Sequence, residues 1–140
     1  MAKMTIKDIL EYRNIAVVGI SDNLERPSNF VARFLIDQGY NVIPVNPKLE
    51  EWEGKKSYPD LLSIPEKVDV VNIFRRPDAV PQIVDEAIGI KAKVVWMQEG
   101  IVNEEAAAKA RASGLEVVMD KCIKIEFKRL KRQQDYLSCG

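Results

Sequence analysis

Histidine does not occur among the 140 residues. That absence removes Ser-His-Asp and Cys-His catalysis, His-ligated zinc and any phosphohistidine intermediate. Cysteine occurs twice, at Cys122 and Cys139, too few for a disulfide framework, and a reducing compartment would keep both as thiols. Two thiols without an imidazole do not make a structural zinc site, and no EF-hand spacing is present, so no metal site is expected. No apolar run approaches the roughly 20 residues that span a bilayer. The stretch Met1 to Leu10 lacks the apolar core and small-residue cleavage site of a signal peptide. The expected compartment is the cytoplasm, with no membrane contact. Excess charge is missing too: 21 Lys and Arg balance 21 Asp and Glu, which argues against a nonspecific nucleic-acid binder.

Apolar material for a core is plentiful. With 46% hydrophobic residues, a chain of this length buries about two-thirds of its unfolded surface. That suits one domain over residues 1–132 followed by a tail at 133–140. Five short runs rich in Val and Ile, apolar on both faces, read as strands: residues 15–20, 41–45, 68–74, 93–98 and 116–119. Helical patterns separate them. Residues 28–38 would start at Ser28 as N-cap and stop before Gly39; residues 77–88 carry their prolines near the start; the Ala-rich 103–113 would be capped by Asn103 and stopped by Gly114. Residues 5–12 read as a short leading helix and 123–130 as a closing one with a frayed basic tail. Between 50 and 64 the expectation is a loop, an edge strand near 56–58 and a helical turn at 60–63. Such alternation predicts an α/β fold of three layers, Rossmann-like, with a mainly parallel sheet of five to six strands and helices on both faces. Ligands of such sheets sit beyond the carboxyl ends of the strands, so the loops there are the places to look for function.

The first of those loops runs from Gly19 to Ser28. Gly19 permits a tight turn and close approach of a ligand, although it is equally an ordinary turn glycine. The second and third glycines of the dinucleotide fingerprint are replaced by Ser21 and Leu24. Ser21, Arg26, Ser28 and the free N–H groups of a helix start suit a phosphate. In the second loop, Asn46-Pro47-Lys48, an NAD site would carry a carboxylate; Lys48 would instead attract a phosphorylated ribose. The third loop sets Arg75 and Arg76 between a strand and a helix, where guanidiniums can pair with phosphate or stack on adenine. In the fourth, Trp96 and Met97 fit a core better than a ligand wall, while Gln98 could hydrogen-bond an amide. In the fifth, Cys122 either faces the crevice beside Lys121 or is a small buried apolar group. The pairs Asp85-Glu86 and Glu104-Glu105 read as solvated helix faces.

The runs IAVVGIS (15–21), RPSNFVARFLIDQGY (26–40), VIPVNPK (42–48), FRRPDAVPQIVDEAI (74–88), KVVWMQEGIVNEEAA (93–107) and GLEVVMDKCIKIEF (114–127) resemble the stand-alone CoA-binding proteins. These are small Rossmann-type relatives of the CoA-binding domain of the succinyl-CoA synthetase alpha subunit. The resemblance covers nearly the whole chain in the right order. It departs at Glu99, where an apolar residue is expected, and beyond Leu130. It implies coenzyme A as the ligand, with Gly19, Ser21, Arg26 and Ser28 on its phosphates. Val45, Asn46, Pro47 and Lys48 would flank the adenosine. Phe74, Arg75 and Arg76 would line the adenine and phosphate region, and Met97 and Gln98 the pantetheine path.

The implied function is binding of CoA or acyl-CoA by a non-catalytic carrier, sensor or scaffold. One alternative is a thiol-redox device in which Cys122 forms a mixed disulfide with the CoA thiol. Another is an NAD(P)-binding redox module, against which the missing glycines and Lys48 argue. Ligase chemistry of the succinyl type needs a phosphorylated histidine, which this sequence lacks. Surplus apolar residues on outer helices are compatible with a homodimer, with no interface legible.

Overall fold

Strands that are apolar on both faces must be covered on both, and the computed structural model, which describes residues 4–139, shows how this is done. The side chains of Ser138 and Cys139 lie outside the described residues, and with them the thiol reading of Cys139. Five strands make one parallel sheet: β1 (Asn14–Val18), β2 (Asn41–Val45), β5 (Val70–Ile73), β6 (Val94–Met97) and β7 (Glu116–Val118), in the order β2-β1-β5-β6-β7. Side chains alternate across the pleat. Ala16, Val18, Ile43, Val45, Val71, Ile73, Val95 and Met97 pack towards α3 (Val80–Gly89) and α4 (Glu104–Ala112). On the opposite face Ile15, Val17, Val42, Val70, Val94 and Trp96 meet α1 (Ile6–Ile9), α2 (Pro27–Asp37) and α5 (Ile123–Cys139). The expected three-layer Rossmann-like architecture is present. Pro44 is tolerated because β2 is the edge strand and lies opposite Val17 on its paired side.

Four local expectations change. Ser28 does not cap α2: Pro27 takes the first helical position, the cap is Arg26 without a side-chain bond, and the Ser28 hydroxyl accepts from the Ser21 N–H at 3.0 Å. Residues 55–56 (β4, Lys55–Lys56) pair with β3 (Glu51–Trp52) as a hairpin rather than edging the main sheet. Glu53 and Gly54 both have positive φ, which closes that two-residue turn, and Tyr58 alone bridges to Val45. The leading helix is only four residues long, opened by a Thr5–Asp8 capping box. The closing helix runs on to Cys139, since Lys, Arg and Gln favour helix and no Gly or Pro interrupts residues 123–139. Asn103 does cap α4, accepting from the Ala106 N–H at 3.0 Å. Among the described residues no helix is long and apolar enough to cross a membrane.

Candidate functional site

From β1 the chain moves outward to β2, then returns to place β5 on the other side of β1. The strand order therefore reverses between β1 and β5, and the two loops leaving their carboxyl ends diverge above a crevice. Gly19 ends β1 with φ +86° and donates its N–H to the Val45 carbonyl at 2.9 Å. Phe74 ends β5, donating to the Val18 carbonyl at 2.8 Å. A side chain at position 19 would collide with the carbonyl oxygen of Phe74 and lie 2.9 Å from Arg75 Cδ. Glycine here is a requirement of two strand ends that touch.

The loop after Gly19 is held from several directions. The Ser21 carbonyl accepts from Asn29 Nδ2 at 2.8 Å and from Trp52 Nε1 at 2.9 Å. Ser21 Oγ accepts from the Asn23 N–H, and Asn46 Nδ2 donates to the Ile20 carbonyl at 2.7 Å. Asn46 Oδ1 in turn accepts from the Lys48 N–H at 2.8 Å. Asn46 thus works as a brace between the first two loops.

Two clefts flank the Gly19–Phe74 contact. A cleft of about 230 Å³ is lined by Gly19, Val45, Pro47 and Arg75, with Asp60 and Glu86 also on its wall. A larger one, about 490 Å³, lies between the start of α2, the Phe74 and Gln98 turns, and Cys122 at the entry to α5. Of the residues singled out from sequence, these clefts gather Gly19, Val45, Pro47, Phe74, Arg75, Gln98 and Cys122. Arg26 and Lys48 are exposed near the rim, and Arg76 is exposed in an ion pair with Asp78 at 3.4 Å. Ser21, Ser28 and Asn46 shape the loops through the bonds above. Met97 is not brought to the rim: it is wholly buried, on the sheet face that packs against α3 and α4.

Gln98 is 3% exposed and links elements. Its Nε2 donates to Asn72 Oδ1 in the middle of β5, and its Oε1 accepts from the Ile123 N–H at the start of α5 at 3.4 Å. Trp96 Nε1 donates to the Lys121 carbonyl at 2.8 Å, and the Gly100 N–H to Asp120 Oδ1 at 2.7 Å. The fourth and fifth loops are thereby tied into one wall. Two buried amide atoms, Asn29 Oδ1 and Asn72 Nδ2, have no partner among the described residues.

Sequence reasoning missed Trp52, Asn29, Asn72 and Glu86. Glu86, read as part of a solvated face, is half-buried and accepts from the Leu61 N–H at 3.0 Å. The helical period of α3 does carry a signal, because Glu86 lies three residues after buried Ile83. Nothing local marks Trp52, whose partner is 31 residues away.

Residues 13–128 match the family model for the CoA binding domain. The chain belongs to this family. A CoA-binding domain of this size has close counterparts. An uncharacterized protein of Bacillus subtilis, YneT, is 42% identical over 125 residues, covering 89% of this chain and 93% of that one. A solved structure of a hypothetical protein from Pyrococcus horikoshii superposes with a TM-score of 0.86 at 44% identity, over 91% of this chain and 92% of the other. An ADP-forming acetate–CoA ligase of Archaeoglobus fulgidus is 29% identical over 125 residues, and there the match spans 86% of this chain but 18% of the enzyme. Family membership favours neither the NAD(P) module nor the thiol device.

Proposed function

We propose that this CoA-binding domain holds coenzyme A, free or acylated, along the carboxyl edge of its sheet, as a non-catalytic carrier, sensor or scaffold. The observation that carries the reading is the crevice at the strand-order reversal, where Gly19 brings bare backbone against Phe74 and Arg75. Phosphates would lie over Gly19 and the uncapped start of α2, reached by Arg26 and Arg75, because helix N–H groups and guanidiniums both favour anions. Adenosine would lie in the smaller cleft against Val45 and Pro47. Asp60 and Glu86, on the wall of that cleft, disfavour phosphate there and offer acceptors to an amino or hydroxyl group. Lys48, exposed beside Pro47, would meet the 3′-phosphate.

Calorimetric titration with CoA and dephospho-CoA tests the reading. Wild type is expected to bind CoA more tightly. Lys48→Ala is expected to weaken CoA by about 10- to 100-fold, the worth of one charge-assisted hydrogen bond, with little effect on dephospho-CoA. Equal affinity of wild type for the two ligands would overturn the 3′-phosphate assignment. No binding of either would overturn the function.

A further inference from the structure

Phe74 and Arg75 are consecutive, yet they line different clefts. A ligand seated over Gly19 therefore has one residue of backbone to cross before entering the larger cleft. That cleft is walled by Pro27, Phe30, Val31, Phe74, Ile101 and Ile125. Phe30 and Ile125 form parts of its wall from α2 and α5 and are 42% and 46% exposed, so two large apolar side chains from different helices meet water at one opening. The Lys124 ammonium stands 5.4 Å from the Phe30 ring and 5.3 Å from the Phe34 ring, an arrangement that engages its charge on aromatic faces. Glu99, exposed, is the acidic group on the same wall. A volume of about 490 Å³ falls in the range of small-molecule sites.

Building on the CoA reading above, we propose that this cleft, which Gln98 lines, receives the end of the pantetheine arm and the neutral aliphatic acyl group it carries, so that the protein prefers acylated CoA to free CoA. Each methylene leaving water for such walls tightens binding. An acyl group that ends in a carboxylate is disfavoured, because it would lose water against apolar walls that carry Glu99 as well as Lys124.

Calorimetry with CoA, acetyl-CoA, butyryl-CoA, hexanoyl-CoA and succinyl-CoA reads this directly. The dissociation constant is expected to fall by about two- to fourfold per added methylene from acetyl to hexanoyl, with succinyl-CoA weaker than butyryl-CoA. Ile125→Glu and Phe30→Glu, both at exposed positions, are expected to flatten that chain-length slope. Leu62→Glu, exposed and outside the cleft, is expected to keep it. Binding of CoA with no change along the acyl series would overturn the acyl site and leave the CoA reading standing. A slope that persists unchanged in Ile125→Glu and Phe30→Glu would also overturn it. No binding of CoA or any thioester would overturn the CoA reading itself, and the acyl site with it.

Discussion

Gly19 leaves no room for a side chain against the carbonyl oxygen of Phe74. The carboxyl ends of β1 and β5 meet there, at the one place where the loops must diverge to form a crevice. Gly54 offers the natural comparison: it too has positive φ, but nothing lies within 4 Å of where its Cβ would be.

Alanine at the two glycines separates conformational strain from collision. Gly54→Ala is expected to cost about 1–2 kcal/mol, the penalty of a left-handed L-residue. Gly19→Ala carries the same penalty plus about 1–3 kcal/mol for crowding. Urea unfolding at unchanged m-value measures both. Equal losses would show that the Gly19–Phe74 contact yields without cost.

The Asn72–Gln98 amide pair ties the sheet interior to the start of α5. Gln98→Leu strands Asn72 Oδ1 and the Ile123 N–H together, each costing about 1–3 kcal/mol when left without a partner. The double variant Asn72→Leu/Gln98→Leu removes donor and acceptor at once. Its loss in urea unfolding is expected to be smaller than the sum of the two single losses. Strict additivity would mean that the pair carries no interaction energy.

Tyr40 is buried, and its hydroxyl donates to the Leu10 carbonyl at 2.5 Å. Burial raises its pKa above the ordinary phenol value, with the nearby Arg13 guanidinium acting in the opposite sense. Above about pH 10 the unfolded chain loses this proton first, so the unfolded state binds fewer protons and stability falls as pH rises. Below that range the contribution is fully present. Tyr40→Phe is expected to cost about 1–2 kcal/mol near neutrality and to remove this residue's share of the alkaline decline. The gap between wild type and variant should therefore hold steady from about pH 8 to about pH 10 and narrow above about pH 10. A gap that stays constant above about pH 10 would show that Tyr40 ionises as freely in the folded state as in the unfolded one.

Much of the candidate site's placement was legible because loop positions follow from strand positions. Once residues 15–20 and 68–74 are strands of a parallel sheet, Gly19, Phe74 and Arg75 must stand at their carboxyl ends. Ser28 was misplaced as a cap because Pro27 suits the first helical turn, freeing the hydroxyl to bond the loop instead. Local pattern favoured a short closing helix, since residues 131–137 bury nothing that would show as an apolar stripe. Trp52 and Asn72 left no mark at all. Their roles depend on partners 31 and 26 residues away.

Short stretches of Val and Ile, punctuated by turn residues and helical patterns, were sufficient to determine the alternation of elements, the burial of the sheet on both sides and which loops stand at its carboxyl edge. That information is local: it rests on periodicity and on backbone preference. Docking of the helices decided the rest. Met97 ends β6 and Gln98 follows it, and side chains of successive residues there leave opposite faces of the pleat. Only the packing of α3 and α4 on one face and α2 and α5 on the other turned the first into core and the second into the wall of a cleft. Which face stays open is a property of contacts between distant segments, and no spacing within a strand records it.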